Sequence, residues 1–239
     1  MDYAEFPAPA ELRHLVKAAW TLSVGGEISD SVDHVATSDG CIEIIRRLKG
    51  RSSWQGDQPP LFVAGLTTHP AALCLSGASE FIGLRLWPWT WNAISHVKSR
   101  EIVDRWVELA IAAPDFTMPG NALDAFAAVE PGLVDPAVVP LVKAVLSSSS
   151  VSELAERSGR SHRYLQRWFE HHVGVTPRVY LRMLRFSNAF DRLPSSGGSL
   201  ASHAADHGFA DQSHMAREFR SMSGLPAGKA KKKAVGPFL

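Results

Sequence analysis

The sequence has few of the features that mark secreted, disulfide-bonded or membrane proteins. Its 239 residues include only two cysteines, Cys41 and Cys74, which are too few to frame a disulfide-stabilised domain and lack metal-site spacing. No apolar run approaches the roughly 20 residues of a membrane-spanning helix. The N-terminal stretch "MDYAEFPAPAELRHL" has acids and prolines where a signal peptide would have a basic start and an apolar stretch. We therefore expect a cytoplasmic protein with reduced, buried cysteines and no membrane contact.

The net charge of +1 hides an uneven distribution of charge along the chain. Residues 1–150 carry 11 Lys and Arg against 17 Asp and Glu, a net charge of −6, whereas residues 151–239 carry 14 against 7, a net charge of +7. A short basic region attracts polyanions, and nucleic acid is the first partner to test. The opposite signs also predict an electrostatic contact between the two halves.

The hydrophobic pattern divides the chain into two domains of different class. Between residues 31 and 87, short apolar runs alternate with Gly, Pro, Asp and Ser, which is typical of a small antiparallel barrel or sandwich. Residues 91–110 and 121–129 predict one or two helices, the latter capped by Asn121. After the Pro- and Gly-containing joint "EPGLVDP", everything reads as short helices. We predict an α+β chain, with a β-rich domain over residues 1–133 and an all-α domain over residues 134–239.

Two segments of the all-α half repeat one another. The matched pairs, at an offset of 49 and then 50 residues, are Ala155 with Ala204, Gly159 with Gly208, Leu165 with Met215, Arg167 with Arg217, Phe169 with Phe219, and Gly174 with Gly224. Each unit has an alanine where two helices must approach, a glycine where the chain reverses, and an apolar pair four residues apart. This pattern predicts two helix-turn-helix units. Between them, "TPRVYLRMLRFSNAFDRL" predicts a connecting helix of 18 residues, about 27 Å long, that begins with the Thr176 cap and Pro177.

The helix after each turn is predicted to have one apolar face and one polar face. In "SHRYLQRWF", a helical wheel places Leu165, Trp168 and Phe169 inward. The outward set contains Arg163, Gln166 and Arg167 in the first copy, and Ser213, Ala216, Arg217 and Arg220 in the second, with Gln212 in the first turn. Arg and Gln match the hydrogen-bonding edges of guanine and adenine, and a helix fits the major groove of DNA. We therefore predict two helices that read adjacent major grooves of double-stranded DNA.

The all-α half resembles the AraC/XylS family of bacterial transcription regulators over about residues 136–228. The segment "LAERSGRSHRYLQRWFEHHVGVTP" is similar to the family's first helix-turn-helix unit, and "HAADHGFADQSHMAREFR" is similar to its second. The resemblance implies a sequence-specific transcription regulator and adds His214 to the base-reading set. That set is Arg163, Gln166, Arg167, Gln212, Ser213, His214 and Arg217. Two departures, His203 in place of a large aliphatic residue and the ending "GLPAGKAKKK", make the first unit the stronger candidate for base reading.

Contacts to the DNA backbone are expected around the two reading helices, since a basic domain gains affinity from phosphate neutralisation. The candidate residues are Ser161, His162, Arg178, Arg220, Lys231 and Lys232. RNA polymerase and a second copy of the chain are further candidate partners of a regulator of this kind.

The N-terminal half resembles the uncharacterised β-rich sensor domain of one branch of the same family, in "SDGCIEII", "GLTTHP" and "FIGLRLWP". The wider family places effector binding and dimerisation in such a domain. In "WPWTW", Trp87, Trp89 and Trp91 alternate at strand spacing, which predicts indoles on one face, either in core or domain-interface packing or in the wall of an apolar pocket. Arg85 suits either a carboxylate ligand or an acid of the domain. Arg85, Trp87 and Trp89 are thus the candidate pocket for a small-molecule effector.

No catalytic motif is recognisable, since the chain has no glycine-rich phosphate loop and no Ser, His and Asp set with a nucleophile elbow. The candidate metal ligands His34, Asp39, Glu43 and His69 have no tight His-x-His spacing. We expect no enzymatic activity, no cofactor and no metal. The alternative is a metal-dependent β-barrel enzyme fused to a DNA-binding module.

Overall fold

The computed structural model describes residues 1–27, 29–193 and 199–233, and within these ranges the N-terminal half forms two antiparallel sheets. The larger sheet has the strand order β1 (Asp2–Pro7), β2 (Val16–Ser23), β8 (Glu80–Leu86), β4 (Ile42–Lys49), β6 (Leu61–Ala64) and β9 (Trp106–Glu108). The smaller sheet has the order β3 (Ser31–Ala36), β7 (Ala71–Ser76) and β5 (Ser52–Ser53).

The two sheets form a sandwich, because both faces of the larger sheet are apolar. Successive side chains of a strand point to opposite faces. One face carries Ile42, Ile44 and Leu84, all fully buried in the main core. The opposite face carries Trp20 and Phe81, which pack with smaller-sheet residues in a second apolar cluster. The predicted sandwich is confirmed, and the two sheets do not close into a barrel.

Two parts of the N-terminal half differ from the sequence-based expectation. Strands β1 and β2 lie before the predicted strand region, and Lys17 within the apolar run of β2 obscures its alternation. The "WPWTW" stretch is not a strand but the start of helix α1 (Pro88–Ile94), with Trp87 as its N-cap. Proline is favoured at the first helical position because that residue's N–H has no partner within the helix. The expected helix over 121–129 is a short 3₁₀ helix, Asp124–Ala128.

The remaining described chain is helical. It comprises α2 (Leu109–Ala112), α3 (Val139–Ser147), α4 (Val151–Ser158), α5 (His162–His172), α6 (Pro177–Arg192), α7 (Leu200–Asp206), α8 (Gln212–Ser223) and α9 (Ala227–Lys233), with further 3₁₀ turns at Ala10–Leu12, Ser99–Glu101 and Pro136–Val138. A side-chain cap begins each of the helices α4 to α8, from Ser150, Ser161, Thr176, Ser199 and Asp211. In the described ranges, no helix has the length and apolar character needed to cross a membrane.

The repeat predicted from sequence is present in the fold as two helix-turn-helix units, α4 with α5 and α7 with α8. Gly159 and Gly208 occupy equivalent turns with φ of 62° and 72°, a left-handed conformation that glycine adopts without strain. The second matched pair, Gly174 and Gly224, also has positive φ. The connecting helix α6 has 16 residues and spans about 24 Å, slightly less than expected.

The two halves share one hydrophobic core. The indole of Trp89 lies 6.0 Å from that of Trp168 and 6.3 Å from the ring of Tyr180, as measured between ring centroids. Aromatic packing therefore joins the two halves, and the expected electrostatic attraction between them stays a prediction. Among the described residues, the ion pair that crosses residue 133 is Lys17 with Asp191 at 3.4 Å, which has the reverse polarity. Burial alone would lower the pKa of Lys17, but the Asp191 carboxylate raises it above its ordinary value.

A buried ion cluster surrounds Arg85, whose side chain is 2% exposed. Its guanidinium pairs with Glu43 at 2.5 Å, with Asp39 at 3.0 Å, and with Glu5. Burial opposes the charge on Arg85, but Glu43 and Asp39 raise its pKa well above the ordinary value. Arg85 thus serves the second of its two predicted roles, pairing with acids of its own domain.

Replacing Arg85 is expected to destabilise the fold strongly. The substitution Arg85→Met leaves three carboxylates without their counterion, and breaking a buried ion pair costs about 3–5 kcal/mol. Urea unfolding should show a loss of that size, whereas Arg51→Met, at an exposed position, should change stability by less than about 0.5 kcal/mol. Equal stabilities of the two variants would contradict a structural role for the cluster.

Candidate DNA-binding surface

The first reading helix, α5, separates its side chains as the helical wheel predicts. Ser161 begins the helix by accepting the Tyr164 N–H on its Oγ at 3.3 Å. The inward side chains, Leu165, Trp168 and Phe169, are buried. The predicted base-reading residues Arg163, Gln166 and Arg167 are all exposed. This helix therefore presents a continuous donor-rich strip to solvent.

The second reading helix, α8, presents a smaller strip. Asp211 caps it by accepting the His214 N–H at 2.6 Å, and Met215 and Phe219 are fully buried. Exposed positions are held by Gln212, Ser213 and Arg217. His214 is only half-exposed, because its Nδ1 accepts the Ala210 N–H at 3.2 Å and its Nε2 lies 3.8 Å from Glu218. Of the second set, His214 has the least freedom to reach a base.

Helix α6 holds the two reading helices in one arrangement. On one side, Tyr180 packs its ring 5.7 Å from that of Phe169 in α5. On the other side, Arg182 donates to Glu218 at 2.7 Å and to Ser221 at 2.8 Å, both in α8. The relative orientation of α5 and α8 is therefore set by side chains of α6.

The candidate phosphate-binding residues in the described chain lie around these helices. Ser161, His162, Arg178 and Arg220 are all exposed. Lys231 and Lys232 have side chains that lie outside the part of the chain the structure describes. His203, the departure from the family pattern, is buried, and its Nε2 lies 2.9 Å from the Ala189 carbonyl oxygen, so the core of α7 accommodates it.

Two surface residues, one beside α5 and one within it, were not identified from the sequence. Arg100, from the 3₁₀ turn Ser99–Glu101, lines a groove together with Arg163 and Arg167. Only the fold brings it there, since 63 residues separate it from Arg163 in the sequence. Tyr164 is 40% exposed on the first turn of α5 and lies under the guanidinium of Arg160, 4.9 Å from the ring centroid. The helical wheel places Tyr164 outside the apolar face of α5, and this position was the sequence signal that could have identified it as a surface residue.

The candidate effector pocket does not form from Arg85, Trp87 and Trp89. The indole N–H groups of Trp87 and Trp89 donate to the carbonyls of Arg13 and His14, at 2.9 and 2.8 Å, and both rings are buried. Of the alternatives predicted for the tryptophans of "WPWTW", packing at the domain interface is therefore the one that applies to Trp89. A different cavity, of about 80 Å³, lies between the two sheets, and its lining includes none of Arg85, Trp87 and Trp89.

The four candidate metal ligands are not brought together at one site. Asp39 and Glu43 pair with Arg85, while His69 hydrogen-bonds to Thr68 at 2.8 Å and lies 3.5 Å from Asp104. In the described ranges, no group of three or more His, Cys, Asp and Glu side chains is placed to hold a metal ion. The metal-dependent enzyme alternative has no support from the site geometry.

Comparison with known families identifies two parts of the chain. Residues 154–233 match the family "Helix-turn-helix domain", and residues 4–108 match a "Domain of unknown function (DUF6597)". Over 67 residues the chain is 39% identical to the HTH-type transcriptional activator RhaS of Pectobacterium carotovorum, and 37% identical to RhaS of Pectobacterium atrosepticum. These matches cover 28% of this chain and 24% of each RhaS protein. Residues 154–233 thus form a helix-turn-helix domain, as the motifs predicted.

The fold of the chain is similar to solved structures of ToxT from Vibrio cholerae. One ToxT structure matches with a TM-score of 0.51 at 10% identity, over 90% of this chain and 98% of that chain. ToxT with a bound unsaturated fatty acid matches with a TM-score of 0.51 at 11% identity, over 90% and 95% of the two chains. The similarity confirms the predicted order of a β-rich part followed by a helical part.

Histidine protonation is expected to weaken the junction between α5 and the N-terminal half. The ring of His172 stacks on Trp168, 4.9 Å away, and burial, His171 and Lys98 lower its pKa from 6.5 to about 4. Because the folded state disfavours the proton, His172 contributes stability above pH 6.5 that is lost as the pH falls toward 4. In His172→Gln, the free energy of unfolding, measured between pH 7 and 4, should lose part of this pH dependence. His96→Gln, at an exposed position away from these groups, should retain it, and identical profiles for the two variants would contradict the assignment.

Proposed function

We propose that this chain is a sequence-specific, DNA-binding transcription regulator that reads two adjacent major grooves with α5 and α8. The observation that carries this proposal is the matched placement of two arginines, Arg167 and Arg217. Each is exposed on the second helix of its helix-turn-helix unit, opposite a fully buried phenylalanine two residues further on. Packing explains the buried residues of the repeat, but it does not explain a repeated exposed arginine.

Groove spacing supports a joint role for the two helices. Reading helices that serve successive half-sites lie about one duplex turn apart, roughly 34 Å. Helix α6 spans about 24 Å, and the half-widths of the two helices it holds add to that separation. A rigid α6 would therefore present α5 and α8 on the same side of a duplex.

The two reading helices contribute unequally in this proposal. The α5 set of Arg163, Gln166 and Arg167 offers three long donor side chains, two of which match guanine and one adenine. In α8, Glu218 pairs with Arg182 and lies near His214, which places a carboxylate beside the reading strip. We therefore assign most base discrimination to α5.

Affinity that is independent of sequence would come from the phosphate contacts. The net charge of +7 on residues 151–239 supplies general attraction to a duplex. Arg178 and Arg220 are exposed beside α5 and α8 and are placed to neutralise phosphates. Each such contact releases counterions, and binding should weaken steeply with salt.

Modulation by the N-terminal half is the second part of the proposal. Asn92 of α1 donates its side-chain amide to the carbonyl oxygens of His171 and His172, at 3.2 and 2.9 Å, where α5 ends. A change in the N-terminal half would thus reach the first reading helix directly. We further propose that this half takes a small-molecule effector, by analogy with the fatty-acid-bound ToxT fold.

Loss of Arg167 is the sharpest test of base reading. A duplex bound by the full chain is first selected from a random library, and its affinity for Arg167→Ala is then measured at fixed salt. We expect a loss of about 1–3 kcal/mol and relaxed preference at one base pair, because a bidentate base contact is removed. Arg157→Ala is the matched control, since Arg157 lies on α4 and pairs with Glu153 at 2.9 Å. Similar losses in both variants would point to charge alone and refute base reading by Arg167.

Phosphate contacts should have a different signature. Arg178→Ala is expected to weaken binding to all duplexes by a similar factor and to reduce the slope of log affinity against log salt by about one. The measurement is a salt titration with the selected duplex and with a scrambled duplex. A change in base preference without a change in slope would contradict the assignment.

A further inference from the structure

The cavity between the two sheets is an apolar space that the proposed DNA-binding surface does not use. Its apolar wall comes from both sheets and includes Trp20, Leu22, Ile45, Phe62, Leu73 and Phe81. Its volume of about 80 Å³ is smaller than the roughly 150 Å³ of an engineered cavity that binds benzene. The part of a ligand that the cavity can hold is therefore limited to a few carbon atoms.

The charged groups of the cavity wall have one sign. Among the described lining residues, Asp39 and Glu43 are charged and both are acidic. Arg85 does not line the cavity and contacts both carboxylates at 3.0 and 2.5 Å from behind. A ligand inside the cavity therefore meets carboxylates first.

The ion cluster also carries more negative than positive groups. Three carboxylates, from Glu5, Asp39 and Glu43, share the single guanidinium of Arg85. Oδ2 of Asp39 is buried and accepts no hydrogen bond of good geometry. Burial and the neighbouring acids raise the pKa of Glu43, against the effect of Arg85. Because a negative charge in this cluster is costly, a cation placed beside it would be stabilised.

We propose that this cavity binds a small primary amine, with its short apolar body between the sheets and its ammonium group on Asp39 and Glu43. A carboxylate of the same size would face two like charges and would be rejected. The chemistry is thus opposite in sign to the fatty acid bound by ToxT. The inference names the effector class within the proposed function, and the binding step itself does not depend on DNA.

The same wall of the cavity touches the helical domain. Thr37, Asp39 and Cys41 line the cavity, and the residues between them contact two helices on the other side. The Ser38 N–H donates to the Met222 carbonyl in α8 at 3.3 Å, and the Gly40 carbonyl accepts the Tyr180 hydroxyl of α6 at 3.0 Å. An amine that repositions Asp39 would therefore shift a segment, residues 37–41, on which α6 and α8 rest.

The test compares amines with carboxylates of matched length on the full chain. Calorimetric titrations without DNA use n-butylamine, n-pentylamine and n-hexylamine against pentanoate, hexanoate and heptanoate. We expect the amines to bind at least tenfold more tightly than the matched carboxylates. Tighter binding of the carboxylates, or binding of neither series, overturns the proposal.

Variants locate the site. Glu43→Gln should weaken amine binding at least tenfold, while Asp33→Asn, an exposed acid on β3, should leave it unchanged. Should Glu43→Gln fail to fold, Ala36→Leu fills the cavity without altering its charge and should abolish binding. Amine binding that survives a folded variant of either kind overturns the site.

A separate arm measures DNA affinity with and without the best-binding amine, in the wild type and in Tyr180→Phe. We expect the amine to change the DNA affinity of the wild type at least threefold. The change should be smaller in Tyr180→Phe. Amine binding without any DNA binding would leave the ligand site intact and count against the regulator. DNA binding without amine binding would support the regulator and overturn the amine site.

Discussion

The contact between Trp89 and the aromatic side chains of the first helix-turn-helix unit is the constraint on which the rest of the structure depends. Trp89 packs against Trp168 and Tyr180, and its own N–H is held by the His14 carbonyl. Because buried aromatic side chains dominate interface energetics, this contact joins the sheet domain to the helical domain as one packed body. The N-terminal half thus forms a further layer of the helical core.

The elements predictable from sequence were those governed by local chemistry. The Thr176 cap, the turn glycines Gly159 and Gly208, and the inward Phe169 all follow from local spacing, and the structure confirms each. Long-range features were not predictable in this way. The placement of Arg100 beside α5 depends on docking of the two halves, which no local spacing predicts.

The tryptophan-rich stretch shows why the effector pocket was misplaced. Alternating Trp87, Trp89 and Trp91 fit a strand by periodicity, but Pro88 at the first turn favours a helix and re-aims all three indoles. Arg85, the other pocket candidate, is enclosed by acids from two strands and the β3–β4 connection, whose proximity no sequence spacing reveals. The polar wall of the actual cavity comes partly from those acids.

The two reading helices are therefore attached to the N-terminal half in different ways. Helix α5 is held at its C-terminal end by Asn92 and along its inner face by Trp89, and neither contact involves residues 37–41. Helix α8 meets the N-terminal half through the backbone bond between Ser38 and Met222, within the segment that lines the cavity. A single backbone hydrogen bond contributes about 1 kcal/mol, much less than a buried aromatic cluster. A ligand in the cavity would thus act first where residues 37–41 contact α8 and α6, and its effect would reach both reading helices because α6 sets their relative orientation.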